Sequence, residues 1–520
     1  QPCKSAVGIR RVAALFNNFD GDYVVTGIGK DHVIGDHGEV TYTESESGIV
    51  VGALRSTAPD DGGDDTITTG TGKSVVIGGQ GGDTVTAVGG NNVVVGDSGE
   101  AIYNVATVDG DPLTLDEVRT TFSTHGGDDD TITTGDGDDV IIGGLNDSDG
   151  TTTEVIDAGN GDNVVLGDNG EILFHSGELD LVTSTETGQG GDETINTGIG
   201  NDVIVGGFGQ DTITAGDGNN VVLGDSGEID YTEGSGILET ARSTAPDDGE
   251  DDTITTGTGN SVVIGGQGGD TVTAVGGNNV VVGDSGEAIY NVATVDGDPL
   301  TLDEVRTTFS THGGDDDTIT TGDGDDVIIG GLNDSDGTTT EVIDAGNGDN
   351  VVLGDNGEIL FHSGELDLVT STETGQGGDE TINTGIGNDV IVGGFGQDTI
   401  TAGDGNNVVL GDSGEIDYTE GSGILETARS TAPDDGDGDL INSGTGNDVI
   451  IAGQGNDTVT ITDGNNVVVG DNGEVIFNGA DQDAATLDEV RTTFPANGGG
   501  DDLITTGDGD DVILAGLNDA

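Results

Sequence analysis

The sequence lacks several residue types on which other folds depend for stability. Its 520 residues include one cysteine, Cys3, and neither tryptophan nor methionine, so no intramolecular disulfide can form. No run of about 20 apolar residues occurs, and we therefore expect no membrane-spanning helix. The chain begins with Gln1 rather than Met and shows no intact signal peptide, which indicates either a processed start or the boundary of an expressed segment.

Positive charge is almost as scarce. The chain has 11 Lys and Arg against 101 Asp and Glu, which gives a formal net charge of −90. This imbalance excludes nucleic acid as a natural partner and predicts strong repulsion within the chain. Such a composition is typical of disorder, but the apolar residues, 31% of the chain, come in short Val- and Ile-rich runs at fixed spacing. The chain can therefore fold if divalent cations neutralise its carboxylates.

The largest internal repeat is 187 residues long. The stretch "STAPDDG" begins at Ser56, Ser243 and Ser430, and each repeat holds three modules that end in the closing motif G-D-x-G-E. Because the chain stops at "LNDA", inside a module, we expect a segment of a longer array or an end completed by a neighbour. The predicted divisions are a cap or polymerisation segment at 1–20, a partial module at 21–63, full repeats at 64–250 and 251–437, and a truncated repeat at 438–520.

Within a module the period falls to nine residues. The units read "TGIGND-VIV", "GGFGQD-TIT" and "AGDGNN-VVL", so a Gly-rich turn of six residues alternates with a strand of three. Glycine at this density excludes helix, and such short strands find backbone partners only by stacking on one another. The pattern predicts an all-β fold, a parallel β-solenoid with two nonapeptides per coil and one short strand on each side.

The nonapeptides carry a resemblance to a known family. The stretch "GGFGQDTIT" at 206–214 matches G-G-x-G-x-D-x-U-x, with U a large apolar residue, and so does "GGQGGDTVT" from Gly78. More than twenty such units resemble the repeats-in-toxin (RTX) family, the hemolysin-type calcium-binding repeats that fold as a β-roll. The resemblance implies several Ca²⁺ ions between turns that are adjacent in the stack and 18 residues apart in sequence. The sixth-position Asp and the backbone carbonyls would supply the hard oxygens that calcium prefers.

The sixth positions of the nonapeptides define the candidate ligands, in two lanes of turns. The preference of Asp and Asn for turns accounts for either residue somewhere in a loop. It does not account for an Asp that recurs every nine residues at the sixth position of the nonapeptide. The predicted calcium ligands are Asp22, Asp31, Asp65, Asp83, Asp130, Asp139, Asp202, Asp211, Asp252, Asp270, Asp317, Asp326, Asp389, Asp398, Asp439, Asp448, Asp457, Asp502 and Asp511. One lane includes Asp65 and Asp83, Asp252 and Asp270, and Asp439 and Asp457. The opposite lane includes Asp139, Asp202, Asp326, Asp389 and Asp448, but also Ser74, Asn92 and Asn220, so we expect some of its sites to be weak or empty.

The strand triplets predict two different outer faces. One lane of strands reads "TIT" or "TVT" and has a Thr-rich outer face, whereas the other reads "VVI" or "VIV" and is apolar on both sides. An apolar outer face needs a cover, which is either the inserts after each closing motif or a second molecule. In the inserts, "VVLGDNGEILF" predicts a β-hairpin that turns at Asp168–Gly170. The stretch "TLDEVRTTF", at 114–122, 301–309 and 486–494, predicts a short helix.

Two enzyme-like signals carry no catalytic prediction. The motif "GDSGE" at Gly96 and Gly224 resembles a serine-protease nucleophile, but the serine position is His37 or Asn169 in other copies. The six histidines form no H-E-x-x-H, the zinc-protease motif. We therefore expect no enzymatic activity. The Thr-rich face raises an ice-binding interpretation, against which the inserts are expected to interrupt the array after two rungs.

These features predict an extracellular structural protein, a calcium-stabilised β-roll rod. It would act as a building block or spacer of a surface filament, matrix or adhesin, with calcium as its folding switch. The resemblance implies secretion from a Gram-negative bacterium. Expected partners are calcium and further copies of the chain, bound end to end or through the Val/Ile-faced sheet. One alternative is a calcium-dependent folding and secretion module for an enzymatic or adhesive head outside this chain; an ice-binding solenoid is a minor alternative.

Overall fold

The structure is a computed structural model in which every regular element is a β-strand in the described part of the chain. Residue contacts divide the chain into two compact units, residues 1–257 and 258–520. In each unit the strands form three sheets, which we name the valine sheet, the threonine sheet and the hairpin sheet. The described residues are 13–15, 21–45, 48–58, 62–103, 114–121, 127–146, 153–184, 190–245, 249–290, 301–308, 314–333, 340–371, 377–432, 436–477, 486–494 and 499–516.

Among its described residues the first unit contains eight strands in each sheet. Its valine sheet comprises Ala13–Leu15, His32–Ile34, Val75–Ile77, Val93–Val95, Val140–Ile142, Val164–Leu166, Val203–Gly207 and Val221–Asp225. Its threonine sheet comprises Tyr23–Val25, Thr66–Thr69, Thr84–Ala87, Thr131–Thr133, Glu154–Asp157, Glu193–Asn196, Thr212–Thr214 and Thr253–Thr256. Its hairpin sheet comprises Gly38–Ser45, Gly48–Ser56, Gly99–Tyr103, Leu115–Thr120, Gly170–His175, Glu178–Ser184, Gly227–Tyr231 and Leu238–Ser243.

The second unit repeats this arrangement. Its valine sheet comprises Val262–Gly266, Val280–Asp284, Val327–Gly331, Val351–Asp355, Val390–Gly394, Val408–Asp412, Val449–Ile451, Val467–Val469 and Val512–Leu514. Its threonine sheet comprises Thr271–Ala274, Thr318–Thr320, Glu341–Asp344, Glu380–Asn383, Thr399–Gly403, Leu440–Thr445, Thr458–Asp463 and Leu503–Thr505. Its hairpin sheet comprises Gly286–Tyr290, Leu302–Thr307, Gly357–His362, Glu365–Ser371, Gly414–Thr419, Ile424–Ser430, Gly473–Ile476 and Glu489–Thr492.

The valine and threonine sheets confirm the parallel β-solenoid. Strands within each of them pair in parallel, for example Ile204 beside Val222 and Ile195 beside Ile213. The middle residue of each triplet points between the two sheets, and Ile204 and Ile213 are fully buried. This narrow aliphatic core forms because side chains alternate between the two faces of a strand.

The hairpin sheet is built from the inserts. Each insert forms an antiparallel hairpin, and neighbouring hairpins pair with each other, as Val118 does with Ile172. This sheet covers the valine sheet: Gly170 lies against Leu166, and the outward-facing Val203 and Val205 are only 7% and 0% exposed. The inserts therefore provide the cover that the apolar outer face needs.

The Glu of the closing motif holds adjacent hairpins together. Glu100 aligns with Arg119 in its own hairpin and with Arg55 in the preceding one, and it accepts hydrogen bonds from both at 3.0 and 2.8 Å. Glu100 is buried, so two charge-assisted bonds compensate its lost hydration. The pairs Arg306–Glu287 and Arg429–Glu415 correspond to Arg119–Glu100 and lie within a single hairpin. Six of the 11 basic residues, the arginines at 55, 119, 242, 306, 429 and 491, lie in this sheet.

Three expectations about the inserts are wrong. The predicted short helix is a strand in each copy, at Leu115–Thr120, Leu302–Thr307 and Glu489–Thr492, because pairing with neighbouring hairpins overrides the local helical pattern; residues 122 and 309 lie outside the described residues. The hairpin turns at Ser176–Gly177 rather than at Asp168–Gly170. Both turn residues have positive φ, 56° and 88°, as a two-residue hairpin loop of this kind requires.

The third error concerns the threonine sheet, which the inserts do not interrupt. The inserts leave the solenoid after valine-sheet strands, so the threonine sheet continues past them. Thr84 pairs with Thr66 on one side and with Thr131, from the next module, on the other. Outward-facing residues such as Thr212 and Thr214 are exposed, as the sequence predicts for this face.

Candidate metal sites

The first lane of turns carries only Asp and Glu, and we name it the carboxylate lane. Its members lie at or immediately before the start of each threonine-sheet strand. In the first unit they are Asp22, Asp65, Asp83, Asp130, Glu154, Glu193, Asp211 and Asp252; in the second they are Asp270, Asp317, Glu341, Glu380, Asp398, Asp439, Asp457 and Asp502. Twelve of the predicted ligands are in this lane. The four glutamates were missed, although Glu154 and Glu193 keep the nine-residue spacing to Asn163 and Asp202.

At most aspartates of this lane, one carboxylate oxygen accepts a hydrogen bond from the backbone of the preceding turn. The N–H of Glu193 donates to Asp211 Oδ1 at 2.8 Å, and the N–H of Asp211 donates to Asp252 Oδ1 at 2.7 Å. The second unit repeats this pattern from Asp398 to Asp439 at 2.8 Å. These neighbours are 18 or 41 residues apart. The expectation that adjacent turns are always 18 residues apart is therefore wrong wherever an insert intervenes.

At several of these aspartates the second carboxylate oxygen has no N–H or hydroxyl donor among the described residues. Asp211 Oδ2 is one of these buried oxygens, and the Asp211 carboxylate lies beside the carboxyl group of Glu193. A Cβ at Gly206 would overlap both that oxygen and the carbonyl oxygen of Gly224, so a carboxylate and a carbonyl converge on a space that only glycine leaves open. The same arrangement recurs with Asp83, Gly78 and Gly96 in the first unit and with Asp398, Gly393 and Gly411 in the second.

Burial makes these carboxylates reluctant to ionise without a cation. It raises the pKa of Asp65, Asp211 and Asp457 to about 7. Burial, together with the charges of neighbouring carboxylates, raises the pKa of Asp83 and Glu193 well above the usual range. A stack of buried carboxylates is unfavourable at neutral pH unless protons or metal ions neutralise it.

The opposite lane alternates Asp with Asn, and we name it the asparagine lane. Its members immediately precede the valine-sheet strands. They are Asp31, Ser74, Asn92, Asp139, Asn163, Asp202 and Asn220 in the first unit, and Ser261, Asn279, Asp326, Asn350, Asp389, Asn407, Asp448, Asn466 and Asp511 in the second. The seven remaining predicted ligands lie here. Asn163 and Asn350, which complete the alternation, were missed because an insert shifts them out of the simple 18-residue count.

In the asparagine lane an amide nitrogen lies where oxygens converge. Asn163 Nδ2 is 2.9 Å from the Gly161 carbonyl oxygen, 3.1 Å from that of Thr197 and 3.1 Å from Asp202 Oδ1. The amide group donates to these acceptors and so gathers them as a cation would. A calcium ion 2.3–2.6 Å from the same oxygens would need the space that the amide fills.

The aspartates of this lane are largely satisfied by hydrogen bonds. Asp202 Oδ1 accepts the N–H of Asn163 at 2.9 Å, and Oδ2 accepts the Thr197 hydroxyl at 2.7 Å. Burial raises the pKa of Asp202 to about 6, while these hydrogen bonds oppose the shift. At Asp139 the Thr134 hydroxyl lies close to the carboxylate but also donates to the Ala158 carbonyl at 3.0 Å.

The two lanes therefore differ in how they fit a metal. The carboxylate lane has buried oxygens without partners beside carbonyl oxygens, a donor set that suits calcium. The asparagine lane has its own donors and does not fit a metal at its Asn rungs. Among the described residues no three His, Cys, Asp or Glu side chains form a metal-holding group. Backbone carbonyl oxygens, such as that of Gly224 beside Asp211, are available as further ligands in the carboxylate lane.

Comparison with known families agrees with this geometry. A family model for the RTX calcium-binding nonapeptide repeat matches eight segments that together make up about half of the chain: residues 60–99, 126–147, 187–227, 248–286, 313–334, 374–414, 434–468 and 498–519. No curated protein matches the chain. Within the described residues there is no helix with the length and apolarity to cross a membrane.

Proposed function

Because the chain belongs to the family of RTX calcium-binding nonapeptide repeat proteins, we propose that it is an extracellular structural protein stabilised by calcium. It would serve as a building block or spacer of a bacterial surface filament, matrix or adhesin. The observation that carries this proposal is the carboxylate lane, in which buried oxygens with no hydrogen-bond partner among the described residues, such as Asp83 Oδ2 and Asp439 Oδ2, recur in both units. Such a stack is unfavourable until a divalent cation binds.

The net charge of −90 links folding to the calcium level outside the cell. Where calcium is scarce, repulsion between carboxylates favours the unfolded chain; where calcium is plentiful, its binding pulls the chain into the solenoid. This coupling suits a protein that is exported unfolded and folds after export. It supports a secreted location for a Gram-negative bacterial protein.

Repetition favours a structural role over catalysis. Residues 64–249 recur almost letter for letter from 251, so no copy has a unique set of side chains. Residues 1–20 are proposed to act as a cap, since Ala13–Leu15 pairs in parallel with His32–Ile34 at the edge of the valine sheet. Association through the Val/Ile-faced sheet, one of the two expected modes, is wrong because the hairpin sheet buries that face. Within the proposal, further copies of the chain therefore associate end to end.

Assembly of the purified full chain tests the proposal. We expect monomers in EGTA, and ordered filaments or sheets by electron microscopy once millimolar calcium is added, with a matching increase in sedimentation coefficient. Magnesium at the same concentration is the control, because it keeps its water ligands and fits these sites poorly. A chain that folds with calcium but stays monomeric at all concentrations would favour the alternative, a folding and secretion module for a head outside these residues.

Ice binding is a second candidate function, because the threonine sheet is exposed. In the first unit Thr66, Thr84 and Thr131 align in successive rungs, but the next rung places Val155 there and so breaks the array. A thermal-hysteresis assay on the calcium-loaded chain tests this function. We expect no activity, and a freezing hysteresis that disappears in EGTA would establish it.

A further inference from the structure

The Asp of the closing motif lies where the chain leaves the solenoid for the hairpin sheet. Asp97 occupies the position that glycine holds in an uninterrupted turn, and it is only 6% exposed. The N–H of Leu145, in the next turn, donates to Asp97 Oδ2 at 2.6 Å. In the second unit Asp284 and Asp412 are equally buried and accept the N–H groups of Leu332 and Gln454.

The second oxygen of each of these carboxylates has no partner. Asp97 Oδ1, Asp284 Oδ1 and Asp412 Oδ1 are buried without a hydrogen-bond donor in the described part of the chain. Each of these oxygens faces a glycine of the segment that returns from the insert. A Cβ at that glycine, which is Gly127, Gly314 or Gly436, would overlap the oxygen.

These carboxylates also lie beside the carboxylate lane. The charge of Asp97 contributes to the raised pKa of both Asp130 and Glu154, and the charge of Asp284 contributes to that of Asp317. Each module boundary therefore brings a second buried carboxylate next to the lane, where neighbouring negative charges repel one another. At the first of these boundaries Asp130 Oδ2 and the Gly143 carbonyl oxygen converge beside Gly96, as Asp83 Oδ2 and the Gly96 carbonyl oxygen converge beside Gly78 in an uninterrupted turn.

We propose that Asp97, Asp284 and Asp412 are additional calcium ligands that complete sites at the module boundaries. The closing-motif carboxylate adds a buried oxygen, with no hydrogen-bond partner in the described part of the chain, to the oxygens of the lane carboxylates Asp130, Asp317 and Asp439. This inference rests on the proposed calcium-dependent function. Its consequence is that calcium at these positions fixes the start of each hairpin to the solenoid, so that the hairpin sheet also depends on the metal.

Asp36 offers a matched contrast within the same chain. It occupies the same place in its closing motif, but it accepts hydrogen bonds from two backbone N–H groups, those of Gln80 and Gly63. Its carboxylate is thus satisfied without a metal. We expect Asp36 to hold no ion.

Calcium stoichiometry of the full chain tests the inference. The triple variant D97N/D284N/D412N keeps the side-chain shape and one acceptor oxygen but loses the charge. Isothermal titration of metal-depleted protein with CaCl₂ is expected to show about three fewer calcium ions per chain than the wild type. The control variant D36N is expected to bind as many ions as the wild type. Circular dichroism of each calcium-loaded variant checks its fold.

The outcomes separate this inference from the function on which it rests. A wild-type chain that takes up no calcium overturns both. A wild-type chain that binds calcium, with an equal stoichiometry in the folded triple variant, overturns only the inference. If the triple variant does not fold, the three single variants are titrated instead; each is expected to lose about one ion, and an unchanged count in all three overturns the inference.

Discussion

The carboxylate lane and the asparagine lane have the same kind of Gly-rich turn and the same nine-residue spacing, but they stabilise it by different means. In the carboxylate lane Asp211 leaves a buried oxygen without a partner beside the carbonyl of Gly224. In the asparagine lane the amide of Asn163 donates to the carbonyls of Gly161 and Thr197. In the asparagine lane an amide nitrogen thus donates hydrogen bonds to the converging oxygens, whereas the carboxylate lane needs a cation to bind them. The comparison predicts that calcium dependence belongs to one side only.

Removal of calcium is expected to have the largest effect, and that effect should arise from the carboxylate lane. With EGTA at pH 8 we expect the chain to lose most of its β-sheet circular dichroism, because the carboxylate lane then holds buried charges without counterions. Re-addition of calcium is expected to restore the signal, and magnesium at equal ionic strength serves as control. Unchanged β-structure after chelation would contradict the calcium dependence predicted for the carboxylate lane.

The second largest effect is expected from matched Asp-to-Asn substitutions in the two lanes. Asp211→Asn is expected to remove at least one calcium ion and to destabilise the calcium-loaded first unit by about 3–5 kcal/mol, since it leaves a buried cation without its charge partner. Asp202→Asn is expected to leave the calcium count unchanged and to cost about 1 kcal/mol, because only hydrogen bonds change. Calcium titration and urea unfolding measure both quantities. Equal losses of calcium in the two variants would show that the lanes are equivalent.

A negative charge placed in the asparagine lane is expected to make that lane calcium-dependent, as the carboxylate lane is. Asn163→Asp removes the donor to Gly161 and Thr197 and adds a carboxylate beside Asp202. We expect a loss of about 2–4 kcal/mol at low calcium, with recovery and one further bound ion at high calcium. Asn160→Asp, on the exposed surface of the same turn, likewise loses an amide donor to a carboxylate, that of Asp136, and therefore controls for the effect of burial. If the stability of Asn163→Asp is the same at all calcium levels, the Asn163 amide does not replace a calcium ion at this position.

The mildest perturbation is pH, applied to the metal-free chain. Burial raises the pKa of Asp65 and Asp211 from 3.8 to about 7, so the folded chain binds protons more tightly than the unfolded chain. The stability contributed by these groups is fully present below pH 4 and is lost as the pH rises through 7. In EGTA we therefore expect more β-structure at pH 5 than at pH 8, by circular dichroism. With saturating calcium the difference should shrink, and greater metal-free stability at pH 8 would reverse the predicted sign.

The sequence was sufficient for the solenoid and for much of the candidate site. The nonapeptides predict stacked parallel strands, and the lanes assigned to Asp65 and Asp139 agree with their positions in the structure. The inserts were harder to interpret, because their strands pair with residues far away in the sequence. Leu115–Thr120 has a helical apolar pattern but pairs with Gly170–His175 of another module. The contacts of Asn163 and Asp97 also depend on which turns become neighbours across an insert.

By itself, the sequence determined the period, the fold class and the need for counterions, because Gly-rich turns, three-residue strands and a charge of −90 are local or additive properties. The tertiary structure alone decided which turns stack and which side chains meet there. Stacking brings Asn163 between Asp139 and Asp202, 24 and 39 residues away. It also folds the inserts into a sheet that buries Val203 and Val205. These outcomes depend on backbone pairing between distant segments, which no local pattern encodes.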